Sequence, residues 1–313
     1  MMSGLQRWAS TRGVQVGWGP ARVVTEEKTR IQGMVSAGEL DPGLFRHELA
    51  AHQDPDRPRS GWNVVVVAVP RPAHRVVFAL TRTERAEALL PPTYFRYTAS
   101  FEDIRQDLAA NGLPLARVEH LNGPHKAIAA RLGLVRYGRN NIVYAPGIGS
   151  YLQLGVFWTD AKLPGRPAPD RPTLLPECAG CDRCRKACPT GAIGEDRVLL
   201  RAHLCLAYAN QHPGVWPEWA SRGPHRCLQG CLFCQLACPV NPALPIEDSG
   251  LSFSPTETTA LLEAGENLPP AVRNSLRIKL AWLGRGHMET LLGRNLAALV
   301  RTLRAARSGE VRA

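Results

Sequence analysis

Nine cysteines are the residues best suited to do chemistry in this 313-residue chain, and all lie between positions 178 and 238. The first four, Cys178, Cys181, Cys184 and Cys188, have the spacing C-x2-C-x2-C-x3-C and are followed by proline. In this spacing three thiolates hold one [4Fe–4S] cluster, and the fourth thiolate belongs to a second cluster. The pattern therefore predicts two clusters.

A second run of cysteines supplies further ligands but is one short of a full repeat. It has the spacing C-x2-C-x3-C-P, and Cys205, which lies between the two runs, fills the gap. In bacterial ferredoxins the last cysteine of each run binds the cluster of the other run, and the same arrangement here gives Cys227 no ligand role. The predicted ligands are Cys178, Cys181, Cys184 and Cys238 for the first cluster, and Cys188, Cys205, Cys231 and Cys234 for the second.

Three other interpretations explain the cysteines less well. A zinc site built from two C-x2-C pairs would leave five cysteines and both Cys-Pro pairs without a role. Disulfides are disfavoured because nothing marks the chain as secreted. Cys227, Cys231 and Cys234 have the C-x3-C-x2-C spacing of radical SAM enzymes, which place it early in a barrel. Only 79 residues follow Cys234, too few for that fold.

Composition and charge limit the cellular setting. The first residues include no apolar signal region, and the most apolar run, Val64 to Val69, is far too short to span a membrane. We therefore expect a cytoplasmic protein without a membrane partner. The formal net charge of +11 is compatible with a polyanionic partner such as RNA. A genomic preference for arginine codons accounts for that charge equally well.

Hydrophobic patterning predicts alternating strands and helices before the cysteines. The β-branched run 63–69 indicates a buried central strand. Further strands are predicted at 75–80, 115–120, 141–144 and 151–158, and helices at 26–36, 44–52, 101–111 and 126–132. The sequence thus predicts an α+β protein with an α/β cofactor and substrate domain at 1–163 and a proline-rich linker at 164–176. A ferredoxin-like two-cluster domain would follow at 177–248, and a basic helical tail at 249–313.

The segments around the cysteines resemble epoxyqueuosine reductases. The resemblance is carried by Ala127 to Leu134 (AIAARLGL), by Gly138-Arg139-Asn140-Asn141, by Gly149 to Gly155 (GSYLQLG) and by Cys188 to Ile193 (CPTGAI). It is good over roughly residues 115–245 and loose over the first hundred. It implies an α/β domain that binds cobalamin beside one of two [4Fe–4S] clusters, a modified tRNA as substrate and reduction of its epoxide.

The resemblance also implies roles for particular residues. Arg131, Gly138, Arg139, Asn140 and Asn141 would line the corrinoid pocket. The proton donor of the family is an Asp at a strand end, and counting back from Arg131 places Glu119 at that position. The glutamate and the missing Y-x-x-G-R-D-Y-H segment are departures from the family pattern.

Two other functions fit the same residues. One is a reductive activator of a separate corrinoid protein, and the other is a plain two-cluster electron carrier. The long segment before the clusters argues against the carrier, which needs no pocket. All three functions require an external low-potential electron donor such as a flavodoxin or a ferredoxin.

Overall fold

The computed structural model describes residues 4–40, 46, 61–165, 171–195, 199–212, 214–263, 268–283 and 289–308. The chain forms two compact units. The first contains residues 1–70, 99–181 and 196–199, and the second contains residues 71–98, 182–195 and 200–313. No helix among the described residues is long and apolar enough to cross a membrane.

The first unit is built on a four-stranded antiparallel sheet with the order β1-β2-β8-β5. Its strands are β1 (Gln15–Pro20), β2 (Asn63–Pro70), β5 (Val118–His120) and β8 (Leu152–Thr159). Residues 64–68 of β2 are fully buried, as predicted for the central strand. Continuous burial follows because helices cover both faces of this sheet.

One face of this sheet packs against α2 (Arg22–Ser36) and α4 (His125–Arg131), with Val66, Val156 and Ile128 in the shared core. The opposite face packs against α1 (Gly4–Thr11) and α3 (Tyr97–Asp107), with Val65 and Phe157 in that core. A short hairpin, β6 (Arg136–Tyr137) with β7 (Val143–Tyr144), follows α4.

The second unit contains a three-stranded sheet with the order β4-β3-β9. Strands β3 (Ala73–Ala79) and β4 (Arg85–Leu90) form a hairpin, and β3 also pairs in parallel with β9 (Ile246–Phe253). The longer helices α9 (Pro255–Glu263), α10 (Pro270–Trp282) and α11 (Glu289–Arg307) pack onto it. The stacked rings of Phe78 and Phe253, 4.7 Å apart, lie in their common core.

The remaining helices of the second unit are single turns in the cysteine-rich part of the chain. They are α5 (Arg183–Lys186), α6 (Leu206–Ala209), α7 (Glu218–Arg222) and α8 (Phe233–Leu236).

The mixed α and β fold confirms the predicted class, but the two units differ from the predicted boundaries. The strand predicted at 75–80 within the amino-terminal domain corresponds to β3, which belongs to the unit of the helical tail because it pairs with β9. Strands β1, β4 and β9 were not predicted, since their sequences are rich in glycine or charge. The predicted helix 44–52 lies outside the described residues, apart from Arg46.

The start of α9 is fixed by a buried carboxylate. Glu257 accepts hydrogen bonds from the Ser254 backbone N–H (2.7 Å), the Ser275 hydroxyl (2.6 Å) and the Lys279 ammonium (2.7 Å). The Ser254 hydroxyl in turn accepts from the Glu257 N–H, which completes a capping box. Burial disfavours the charged form of Glu257, but hydrogen bonds from Lys279, Ser275 and Ser254 outweigh it and lower its pKa.

We expect Glu257→Gln to destabilise the second unit by about 3 kcal/mol at neutral pH, because it leaves Lys279 without its buried counter-ion. A carboxyl with a lowered folded-state pKa stabilises above its ordinary pKa of 4.5 and loses this contribution as the pH falls through the folded value. The difference in the free energy of unfolding between parent and variant should therefore shrink below about pH 4.5. Denaturant unfolding across this range measures it. Glu263→Gln, at an exposed position of the same helix, is the control; an equal loss in both variants would contradict the role of the pair.

Candidate functional site

The β6–β7 hairpin positions the first predicted cluster ligand. The Tyr137 N–H donates to the Thr173 carbonyl (3.0 Å), and the Leu175 N–H donates to the Tyr137 carbonyl (2.8 Å). The Cys178 N–H then donates to the Leu175 carbonyl (3.0 Å). These bonds hold residues 173–178 against β6, so Cys178 lies beside the loop that joins β6 to β7.

That loop, residues 138–142, is closely packed. The buried Asn140 donates through Nδ2 to the Tyr144 hydroxyl (2.9 Å) and accepts through Oδ1 from the Ile142 N–H (3.2 Å). A Cβ on Gly138 would come within 2.6 Å of the Tyr144 ring, so this position excludes a side chain. Asn141 has a positive φ of 59°, which Asn tolerates better than most residues. The conformation of the loop is therefore determined by its own residues.

Arg139 connects this loop to Cys178. Its backbone N–H donates to the Cys178 Sγ (3.4 Å), and its guanidinium donates to the Cys178 carbonyl (3.1 Å). Backbone N–H donors and a cationic side chain both offset the negative charge of a cluster thiolate. The predicted corrinoid loop and a predicted ligand of the first cluster are thus in direct contact.

Cys231, a predicted ligand of the second cluster, interacts electrostatically with three other thiols. Burial raises the pKa of Cys231 to about 12, against an N–H bond from Phe233 that lowers it. The neighbouring thiols of Cys227, Cys205 and Cys188 raise the pKa further. Iron binding must displace the protons of such thiols. Cys188 and Cys205 thus act electrostatically on Cys231, and thiols are the donors that a [4Fe–4S] cluster takes.

Two buried asparagines hold Cys205 near Cys231. Cys205 immediately precedes α6, and Asn210 immediately follows it. Asn210 pairs with both polar groups of Gly230, accepting from its N–H (2.9 Å) and donating to its carbonyl (2.5 Å). Asn295 on α11 donates to the carbonyls of Asn210 (2.7 Å) and Leu228 (2.9 Å). The sequence analysis missed both asparagines, because neither belongs to a motif.

Cys227 has a different environment. It is 2% exposed, and it forms a bridge with Leu89 of β4. Burial raises the pKa of its thiol to about 12, against the nearby charge of Arg226, and the thiol donates to the Cys231 carbonyl (3.4 Å). It resembles a packed, inert cysteine more than a ligand.

The remaining predicted ligands lie on short turns. Cys184 is on α5, and Cys234 is on α8, after which Cys238 follows; these two helices pack together. In the first unit, the Cys181 N–H donates to the Cys178 carbonyl (3.3 Å). Cys188 shares a hydrogen bond with the Thr190 hydroxyl (3.6 Å). The pairing of Cys238 with the first run stays a prediction.

Glu119 is half-buried on β5, where it pairs with Trp158 of β8. Cross-strand partners lie on the same face of a sheet, and Trp158 belongs to the core on the α4 face. Glu119 therefore lies on the face that carries the Ala127 to Leu134 segment. Arg131 of that segment forms ion pairs with Glu26 (3.0 Å) and Glu27 (3.6 Å) of α2, which shows a structural role for it.

The competing interpretations of the cysteines gain no support. None of the nine cysteines forms a disulfide. Among the described residues, no group of three His, Cys, Asp or Glu side chains is arranged to hold a single metal ion, as a zinc site would require.

Comparison with a family model decides the nature of the cysteine segment. Residues 177–241 match the model of the 4Fe-4S double cluster binding domain. These residues are a domain that binds two [4Fe–4S] clusters. The matched residues include all nine cysteines. Its two clusters confirm that part of the prediction, whereas the assignment of each ligand stays a prediction.

Similarity to known proteins extends beyond the double-cluster domain. Epoxyqueuosine reductase from Bacillus cereus is 33% identical over 119 residues, which cover 38% of this chain and 30% of the relative. The matched stretch thus spans less than a third of that relative. A Bacillus subtilis epoxyqueuosine reductase structure, described with its catalytic aspartate loop swung out of the active site, has a TM-score of 0.68 at 22% identity. The structural match covers 97% of this chain and 82% of the Bacillus subtilis chain.

A further structure shows epoxyqueuosine reductase with an epoxyqueuosine-modified tRNA stem loop. The TM-score is 0.61 at 20% identity, and the match again covers 97% of this chain and 82% of the chain in that structure. At these identities the structures establish a shared fold. Together with the sequence relatives, they confirm the resemblance to epoxyqueuosine reductases.

Proposed function

We propose that this chain is a cobalamin-dependent iron–sulfur reductase that acts on epoxyqueuosine in tRNA. The observation that carries the proposal is the contact between Arg139 and Cys178, in which the Arg139 backbone N–H donates to the Cys178 thiol. It joins the segment that resembles the corrinoid loop of the family to the double-cluster domain. An electron carrier would have no use for such a loop.

The chemistry requires both parts. Converting an epoxide to an alkene and water consumes two electrons and two protons. When bound, the clusters supply single electrons and cobalamin supplies a metal that accepts them in turn. The chain itself must exclude water, hold the cofactor amides and provide a proton to the departing oxygen.

Residues of the first unit fit these tasks. The 138–141 loop offers the guanidinium of Arg139, a polar group suited to the amides of a corrinoid. Glu119, half-buried on the α4 face of the sheet, would donate the proton. Arg131 would act indirectly, by tying α4 to α2 through Glu26.

Cobalamin retention tests the proposal. The chain is reconstituted anaerobically with iron and sulfide, mixed with cobalamin, desalted and examined by absorption spectroscopy. We expect about eight irons and about one corrinoid per chain. Incubation with epoxyqueuosine-modified tRNA and a low-potential donor, a reduced flavodoxin or ferredoxin, should then yield queuosine. A chain that retains clusters but no corrinoid would favour the electron carrier. A chain that retains corrinoid but does not turn over the tRNA would favour a reductive activator of a corrinoid protein.

The tRNA contacts of the proposed enzyme should include the exposed side chains of Arg273 and Arg277 on α10. They donate to the Leu268 carbonyl and to Asn274 Oδ1, and neither contact neutralises a charge. Two other basic residues of the helical tail are already engaged: Lys279 pairs with Glu257, and Arg294 donates to the Ala209, His212 and Gly214 carbonyls. A further basic residue of the tail, Arg285, lies outside the described residues.

Changing both Arg273 and Arg277 to Gln should flatten the dependence of tRNA affinity on salt by about two units of log–log slope, one for each phosphate that is no longer neutralised. Filter binding or fluorescence anisotropy at several salt concentrations measures the slope. Arg82→Gln, at an exposed turn of the β3–β4 hairpin, is the matched control and should leave it unchanged. Equal slopes for parent and double variant would remove α10 from the interface.

A further inference from the structure

A buried amide nitrogen in the double-cluster domain has no hydrogen-bond acceptor among the described residues. Gln229 is 1% exposed, and its Nε2 makes no hydrogen bond among the described residues. Leaving an amide donor buried and unbonded costs roughly 1–3 kcal/mol, so such groups need an explanation. Gln229 lies in the loop between Cys227 and Cys231, the second of which is a predicted ligand of the second cluster.

The backbone around Gln229 is fixed on both sides. The Leu228 N–H donates to the Leu89 carbonyl (2.9 Å), and the Leu228 carbonyl accepts a hydrogen bond from the Asn295 side chain. Gly230 pairs through both its polar groups with Asn210. Because these bonds hold the residues on either side, the amide cannot reach water without breaking the buried asparagine network.

Three backbone carbonyls in and beside this loop already have donors. The carbonyl of Cys231 accepts from the Cys227 thiol, and the carbonyls of Leu228 and Gly230 accept from the two asparagines. Cys231, which closely follows Gln229 in the chain, is a predicted ligand of the second cluster, and that cluster would bring several sulfur acceptors to this loop. One of these sulfurs would supply the acceptor that the Gln229 amide lacks.

We infer that the Gln229 side-chain amide donates a hydrogen bond to a sulfur of the second [4Fe–4S] cluster and thereby raises its reduction potential. A donor to a cluster sulfur stabilises the reduced form, which carries one more negative charge. Gln229 is thus a tuning residue for electron transfer and not a ligand. The inference rests on the proposed second cluster, but not on the proposed substrate.

Gln229→Met tests the inference, because methionine is of similar length and has no donor. The readout is the midpoint potential of the cluster that Cys205→Ala abolishes, measured by electron paramagnetic resonance during redox titration of the reconstituted full chain. We expect reduction of this cluster to become about tenfold less favourable, which is 59 mV for one electron. The potential of the first cluster should not change.

Thr258→Val is the matched control, since its buried hydroxyl on α9 also lacks a partner among the described residues. It should leave both potentials unchanged. If Gln229→Met loses the second cluster, Gln229→Leu provides the same comparison with a smaller side chain. An unchanged potential of the second cluster in the Gln229→Met or Gln229→Leu variant would overturn the inference. A parent chain without a second cluster would overturn it as well. A parent with two clusters and no epoxide turnover would count against the proposed function alone.

Discussion

Replacing Cys205 with alanine should remove about four of the roughly eight irons per chain and leave the other cluster in place. Cys205 is the one predicted ligand outside both cysteine runs, and Asn210, at the other end of α6, bonds with Gly230, which precedes Cys231. A cluster that loses one of four thiolates is incomplete, whereas the first cluster shares none of its predicted ligands with the second. Iron analysis and electron paramagnetic resonance of the reconstituted protein measure the loss.

Cys227→Ala is the control for this experiment. Its thiol is buried, is bonded to the Cys231 carbonyl and is surplus in the crossed assignment. The variant should keep both clusters, although the cavity it leaves should lower stability by about 1 kcal/mol. If Cys227→Ala loses a cluster while Cys205→Ala keeps both, the predicted ligands are wrong.

Glu119→Gln should lower turnover of epoxyqueuosine tRNA by roughly 10² or more, the usual scale for loss of a general acid. Glutamine keeps the shape and the hydrogen-bonding groups of this half-buried residue, but it has no proton to transfer. Cluster content and corrinoid binding should stay at the parental level, because Glu119 contributes to neither. Single-turnover kinetics under anaerobic conditions measure the effect.

Glu119→Asp separates a chemical role from a structural one. Aspartate keeps the acid and should retain part of the activity, since it shortens the side chain by one methylene only. A destabilised β5 would lower activity in both variants and would also show in thermal unfolding. Parental turnover by Glu119→Gln would remove this residue from the mechanism.

Much of the candidate site could be predicted because its signals are local in sequence. A [4Fe–4S] cluster takes several thiolates from one tight loop, so the spacing of Cys178 to Cys188 is sufficient to predict it. The β-branched run of β2 predicts a buried strand for the same reason, since burial on both faces requires an unbroken apolar segment. The capping box at Ser254 and Glu257 likewise lies within one helical turn.

What only the tertiary structure decided depends on pairings between distant residues. Asn295 lies 85 positions after Asn210, yet it holds the segment that brings Cys205 towards Cys231. The Arg139 N–H meets the Cys178 thiol across 39 positions. β3 joins the second unit because it pairs with β9, far along the chain. Such pairings are selected by burial and hydrogen bonding of the folded chain, and a local sequence pattern contains no record of them.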